Sequence, residues 1–214
     1  MQKLLFLLIV ASASRAVVVL DRMAVIVGKH VIKASDMDWD LRVTDFLNRQ
    51  PLNSSPAAKR QSAERLIDQE LIRQEIVTGD YRRPAESEAT ALVNNLRRDR
   101  FGGSEVKMRE ELQRYDITEA QLRAQLLWQL TVLRFIDQRF RPAVIVADEE
   151  VHAYYNQHLA ELRRQYPGDQ SFETLEPKIR SLLEGQRINE NFEQWLAEAR
   201  KRARIEYRQE AFNE

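Results

Sequence analysis

The ten residues VGKHVIKASD, Val27 to Asp36, change character midway. The first half closes a hairpin. Met23 to Val27 (MAVIV) and His30 to Lys33 (HVIK) are rich in β-branched residues, and Gly28-Lys29 between them suits a two-residue type II′ turn with Gly first. That register pairs Val27 with His30 and Val25 with Ile32. The second half starts a helix, with Ser35 as the expected N-cap and Asp36 and Asp38 near the positive helix end. A two-stranded hairpin is marginal in water without a further strand or a packed helix. The far end of the chain offers one. In ARIEYR (Ala203 to Arg208), Ile205 and Tyr207 alternate with Arg204, Glu206 and Arg208, as in a half-buried strand. The two chain ends are therefore expected to share one sheet, with everything else inserted between them.

What lies between reads as helix. Trp39, Val43, Phe46, Leu47 and Gln50 keep helical spacing, with Met37 and Leu41 widening the apolar face. After a loop over Asn48 to Pro56, a second helix runs from about Ala57 to Thr78, and Gly79-Asp80 stops it. A third follows Pro84 and ends near Phe101-Gly102-Gly103. Ser104 caps a short fourth. Thr118 to Gln121 (TEAQ) is a capping box before a long helix. Its expected stripe is Leu122, Leu126, Leu133, Ile136 and Phe140, widened by Leu127 and Leu130. AVIVADEEV (Ala143 to Val151) reads as an extended link and a helix start. Val151, Tyr154, Tyr155, His158 and Leu162 form the next stripe. After a break over Tyr166 to Phe172, a last helix carries Leu175, Ile179, Leu182, Leu183, Phe192, Trp195, Leu196 and Ala199. The fold class expected is mostly α, a multi-helix domain with a small N-terminal β-hairpin completed by a C-terminal strand.

The chain has 214 residues, 43% hydrophobic, which is ample for a core. Lys plus Arg and Asp plus Glu both number 33, so bulk charge points neither to nucleic acid nor to a membrane surface. Residues 1–16, MQKLLFLLIVASASRA, combine Lys3, an apolar run from Leu4 to Val10 and small residues at Ser14 and Ala16, the pattern of a cleaved secretory signal peptide. The apolar run is far below the ~20 residues of a membrane span, so no stable membrane insertion is expected. There is no cysteine, which removes disulfides, thiolate zinc sites and thiol catalysis in an exported protein.

Catalytic or metal chemistry has little to stand on. His30, His152 and His158 are the three histidines, and the last two are six apart, so they do not share a helix face. Asp148, Glu149 and Glu150 at a helix start complement its dipole. The clusters Arg97, Arg98, Arg100 and Arg200, Lys201, Arg202, Arg204 sit among acids on helix faces. A nucleic-acid partner is not expected. No Gly-rich phosphate loop is present, and no cofactor is expected.

The order of motifs resembles the SurA/PpiD/PrsA family of exported, parvulin-linked chaperones. AVIVGKHVIKASDMD resembles that family's hairpin and following helix. AERLIDQELIRQE is similar to its second helix, and ITEAQLRAQLLWQLTVLRFI to the later helix that follows a Gly-Ile-Ser…Tyr-Arg segment in that family. VADEEVHAYYNQHLAEL and KIRSLLEGQRINENFEQWLAEARKRARIEY resemble the flanks of the isomerase domain. The resemblance implies a signal peptide at 1–16, a helical chaperone domain with the hairpin at 17–142, and a helical extension with a closing helix and strand at 143–214. Where the family carries its isomerase, only a short link, about Arg163 to Pro177, is present. A domain with its own core needs ~50 residues or more. The resemblance therefore implies a periplasmic, ATP-independent chaperone without isomerase activity. Its partners would be unfolded or nascent exported polypeptides and the outer-membrane assembly machinery. Trp39, Phe46, Trp128, Phe135 and Trp195 are the candidate client-binding residues. An envelope scaffold with one fixed folded partner, or a degenerate peptidyl-prolyl isomerase, are the alternative readings.

Overall fold

The computed structural model describes residues 21–166, 168 and 171–212. The expected leader, residues 1–16, lies outside the described residues. Strands β1 (Met23–Val27) and β2 (His30–Lys33) pair antiparallel in the expected register, Val27 with His30 and Val25 with Ile32. Gly28 carries the turn's positive φ, 60°, which only glycine adopts without strain. Strand β3 (Ile205–Tyr207) pairs antiparallel with β1, Val25 with Tyr207 and Val27 with Ile205, giving the order β2-β1-β3. The ladder extends at both ends, because Gly28 N–H donates to Arg204 C=O and Arg208 N–H to Ala24 C=O, each at 2.8 Å.

The chain does not stop at β3. A short 3-10 turn, Gln209–Phe212, folds Ala211 and Phe212 under the sheet, 2% and 1% exposed. They join Val25, Val27, Ile32, Met37, Ala63 and Ile67 in one cluster.

Helix α1 (Ala34–Asn48) starts differently from expectation. Ser35 is not the N-cap. The N-cap is Lys33, whose N–H donates to the Asp36 carboxylate at 2.9 Å. Ser35 instead donates its N–H (3.2 Å) and hydroxyl (2.5 Å) to Asp21. These bonds hold the Asp21 carboxyl below its ordinary range. The helix begins two residues early, and Asp21, from the segment preceding β1, takes up the serine.

The other helices are α2 (Pro56–Thr78), α3 (Glu86–Phe101), α4 (Glu105–Arg114), α5 (Glu119–Phe140), α6 (Asp148–Gln165) and α7 (Phe172–Arg202). Ser55, Ser104 and Thr118 cap α2, α4 and α5 through their side chains. Only residues 166–171 separate α6 from α7, and Pro177 lies inside α7, so the expected link is shorter still. At ~1.5 Å per residue, the 31 residues of α7 span roughly 46 Å. Its start, Leu175 and Ile179, packs with Val151 and Leu162 of α6. Its middle, Ile188, Phe192 and Trp195, packs with Ile72 and Ile76 of α2 and Phe135 and Phe140 of α5. Its end, Leu196 and Ala199, reaches the sheet cluster. One helix thus carries the chain back to β1.

Two expected core leucines lie outside. Leu133 is 62% exposed and Leu182 43%. In α5 the buried set is Leu122, Gln125, Leu126, Phe135 and Phe140.

The return is fastened by charge. The Arg200 guanidinium donates to Asp68 (2.5 Å), to the Glu64 carboxylate (2.6 Å) and to Glu64 C=O (2.9 Å). The Tyr207 hydroxyl also donates to the Glu64 carboxylate, at 2.8 Å. Burial and that bond push the Tyr207 phenol up to about 12 from an ordinary 10.0. A raised pKa means that the contribution of this contact is complete below the unfolded value and fades as pH rises through the folded one. The expected result is that Tyr207 titrates well above a free tyrosine in ultraviolet difference spectra, and that Glu64→Gln brings it down. An unchanged Tyr207 titration in the variant would show that the bond does not form in solution.

Candidate functional site

The five aromatic candidates divide into two groups. Phe46 and Phe135 do not face solvent, which corrects their assignment to a binding surface. Phe46 is fully buried, edge-on to Tyr115 at 5.6 Å. The Arg100 guanidinium lies over its ring at 4.7 Å and donates twice to Phe46 C=O at 3.0 Å. Phe135, 1% exposed, is the hub of an aromatic cluster, with Tyr81, Phe140 and Trp195 centred 5.0, 5.9 and 5.4 Å away. Trp195 is half-buried in that cluster, with the Arg139 guanidinium 5.4 Å from its ring. An aromatic surrounded in this way is structural.

Trp39 and Trp128 are half-buried, and each lines an opening on the same side of α2. The first recess, about 380 Å³, lies between Trp39, Leu66, Arg73 and the β2 residues Val31 and Ile32. The second, about 460 Å³, lies between Arg73, Ile76, Val77, Leu127 and Trp128, with Arg83 at its rim. Leu66, Arg73 and Val77 follow one face of α2 at helical spacing, so the two recesses adjoin across Arg73. That side chain stacks on Trp128, 4.8 Å from the ring centre, and pairs with Glu70 at 3.0 Å. Glu70 is buried and also accepts from Gln74 at 2.8 Å. Arg73 is therefore held between two openings of mixed lining, the first carrying His30, Lys33, Asp36 and Gln69 as well.

The first recess borders a strand edge. Even-numbered positions of β1 bond to β3, as the Ala24 and Gly28 bonds show. Odd-numbered positions then face β2, so His30 and Ile32 bond inward and Val31 directs its N–H and C=O away from the sheet. Such an edge is a template for another extended chain.

The polar chemistry elsewhere has partners. His152 stacks on Phe172 at 3.8 Å and His158 on Tyr154 at 4.1 Å, while His30 sits 3.7 Å from Glu70. Asp148 pairs with Arg180 and Glu150 with Arg187. Among the described residues no group of His, Cys, Asp and Glu is arranged to hold a metal ion, and no helix is long and apolar enough to cross a membrane. Leu66, Arg73, Val77 and Leu127 were not among the candidate residues. The sequence marks them only through the adjacent apolar pair Ile76-Val77; that Val77 is the exposed member, at 69%, is decided by the packing. Comparison of the chain with protein-family models and with curated proteins gives no match.

Proposed function

We propose that the protein is an exported, ATP-independent chaperone that holds unfolded polypeptides, outer-membrane proteins among them, in the periplasm. The observation that carries this reading is the pair of adjoining recesses along α2, from Trp39 and the β2 edge to Trp128. Recognition of many unfolded chains needs apolar and aromatic contact with few fixed polar demands, and a backbone edge that pairs irrespective of sequence. The groove offers the rings of Trp39 and Trp128, with polar side chains between them, and the edge position Val31. The short α6–α7 connection favours a chaperone over an isomerase, since a further domain would need ~50 residues.

The magnitudes suit a holding function. Two anchored side chains contribute roughly 3–6 kcal/mol in gross terms, at ~1.5–3 kcal/mol each. Ordering a flexible client removes much of that. Each engagement is weak and reversible, and a receiver of higher affinity takes the client over without an energy source.

The test uses protein isolated from the envelope fraction, whose N-terminus, read by sequencing, is expected near Val17. It should suppress aggregation of a chemically unfolded outer-membrane β-barrel protein at near-stoichiometric amounts. The double variant Trp39→Ala, Trp128→Ala should lose most of that effect, and because both rings also pack against core clusters the loss of suppression must exceed the loss of folded fraction read by denaturation. Failure of the wild-type protein to suppress aggregation, or tight binding to a single folded partner alone, would favour a scaffold instead.

A further inference from the structure

The rim of the Trp128 recess holds one guanidinium without an ion-pair partner among the described residues. Arg73 is matched by Glu70. Arg83, exposed at the opposite rim, has no carboxylate within ion-pair distance among the described residues. Its carbonyl accepts from Arg134 at 3.2 Å, and the Arg134 guanidinium is committed to Glu88. The preceding residue, Arg82, is fixed by its backbone, its N–H donating to Gln138 at 3.0 Å and its C=O accepting from the same side chain at 3.1 Å. The segment presenting Arg83 is thus tied to α5 at successive residues. Glu86 is the acid in the lining, and it stands in the first turn of α3, where the helix end offsets its charge. The floor, Ile76, Leu127 and Trp128, is apolar.

An apolar floor beneath an unmatched guanidinium is complementary to one kind of occupant. We infer that this recess selects extended polypeptide segments in which an aromatic side chain is flanked by an Asp or Glu. The aromatic ring would occupy the space beside Trp128, and the neighbouring carboxylate would meet Arg83. This rests on the chaperone reading and deepens it by giving the groove a charge preference. Arg73 contributes less, because its charge is already shared with Glu70 and its plane lies on Trp128. The preference is modest, since an exposed ion pair changes affinity by roughly two- to fivefold.

The experiment compares three labelled peptides of one length, with Gly-Ser flanks around a central Phe-Glu, Phe-Gln or Phe-Lys, by fluorescence anisotropy against the full chain. The expected order of affinity is Phe-Glu, then Phe-Gln, then Phe-Lys, with about two- to fivefold between the first two. The gap should close in Arg83→Gln, a surface substitution, and in about 1 M salt, where the screening length falls to ~3 Å. Equal affinities for Phe-Glu and Phe-Gln would overturn the inference and leave the chaperone reading intact. So would a preference that survives Arg83→Gln, because the acid is then read elsewhere. Absence of binding to all three peptides also overturns it, while suppression of aggregation judges the broader reading separately.

Discussion

Truncation after Arg202 is expected to unfold the sheet end of the protein, and with it much of the chain. It removes β3, the partner of the central strand β1, and with it Ala211 and Phe212 from the cluster beneath. Burial of one large apolar side chain stabilises by ~1.5–3 kcal/mol. Ile205 and Phe212 together with the strand pairing therefore represent a loss of several kcal/mol, against a total of roughly 5–15 kcal/mol for a domain. Three single substitutions locate the effect. Phe212→Ala should cost about 3–5 kcal/mol, as for other buried phenylalanines. Ile205→Asp should be comparable, because it places a charge against the same cluster. Glu206→Lys should cost under ~1 kcal/mol, since among the described residues Glu206 pairs with its near neighbours Arg204 and Arg208 at the surface. Equilibrium urea denaturation reads all four. Equal, small effects from Phe212→Ala and Glu206→Lys would mean that the tail is undocked in solution.

Phe135→Ala is expected to be the most damaging single change among the five aromatic candidates. The ring is 1% exposed and touches Tyr81, Phe140 and Trp195 edge-on. Its loss leaves a cavity where α2, α5 and α7 meet, at a cost of about 3–5 kcal/mol. Each edge-on aromatic pair adds ~0.5–1.5 kcal/mol beyond the area buried. The outcome distinguishes a structural residue from a client contact. The melting temperature should fall sharply, and aggregation suppression should fall only in proportion to the folded fraction. A variant with wild-type stability but impaired client binding would return Phe135 to the binding surface. Phe46 belongs to the same structural class, at the other end of α5.

The contrast between Leu126, Leu133 and Phe135 shows where periodicity stops being informative. Leu126 and Leu133 are seven residues apart and share a face of any regular helix. Phe135 is nine residues from Leu126, which at about 100° per residue is the opposite side. Yet Leu126 and Phe135 are buried and Leu133 is 62% exposed. The reason is a change of partner along α5. Its first half packs with α1, α3 and α4, and its second half with α2 and α7. The buried face therefore swings around the helix, and a single stripe read from sequence follows only the first half. Arg73 was equally out of reach, because a charged residue on a helix acquires its position at a groove only from what packs on either side.

Local chemistry was enough for the hairpin, its register, the strand pattern at Ile205 and Tyr207, and the caps at Ser104 and Thr118. In each case the interacting atoms lie a few residues apart, or the alternation itself records one buried face. Ser35 shows the limit of that, since Asp21, fourteen residues away, takes the side chain that should have capped α1. Phe212 sits past the strand with no periodic neighbour, and only the docking of β3 on β1 places it under the sheet. Trp39 and Phe46 are seven residues apart on α1 and read alike in sequence. Tertiary packing separates them: α3, α4 and α5 close over Phe46, while Trp39 keeps an opening beside the β2 edge. Burial is a property of the surroundings as well as of the side chain, so the sequence could name the aromatic residues, and only the packed helices could divide them between core and groove.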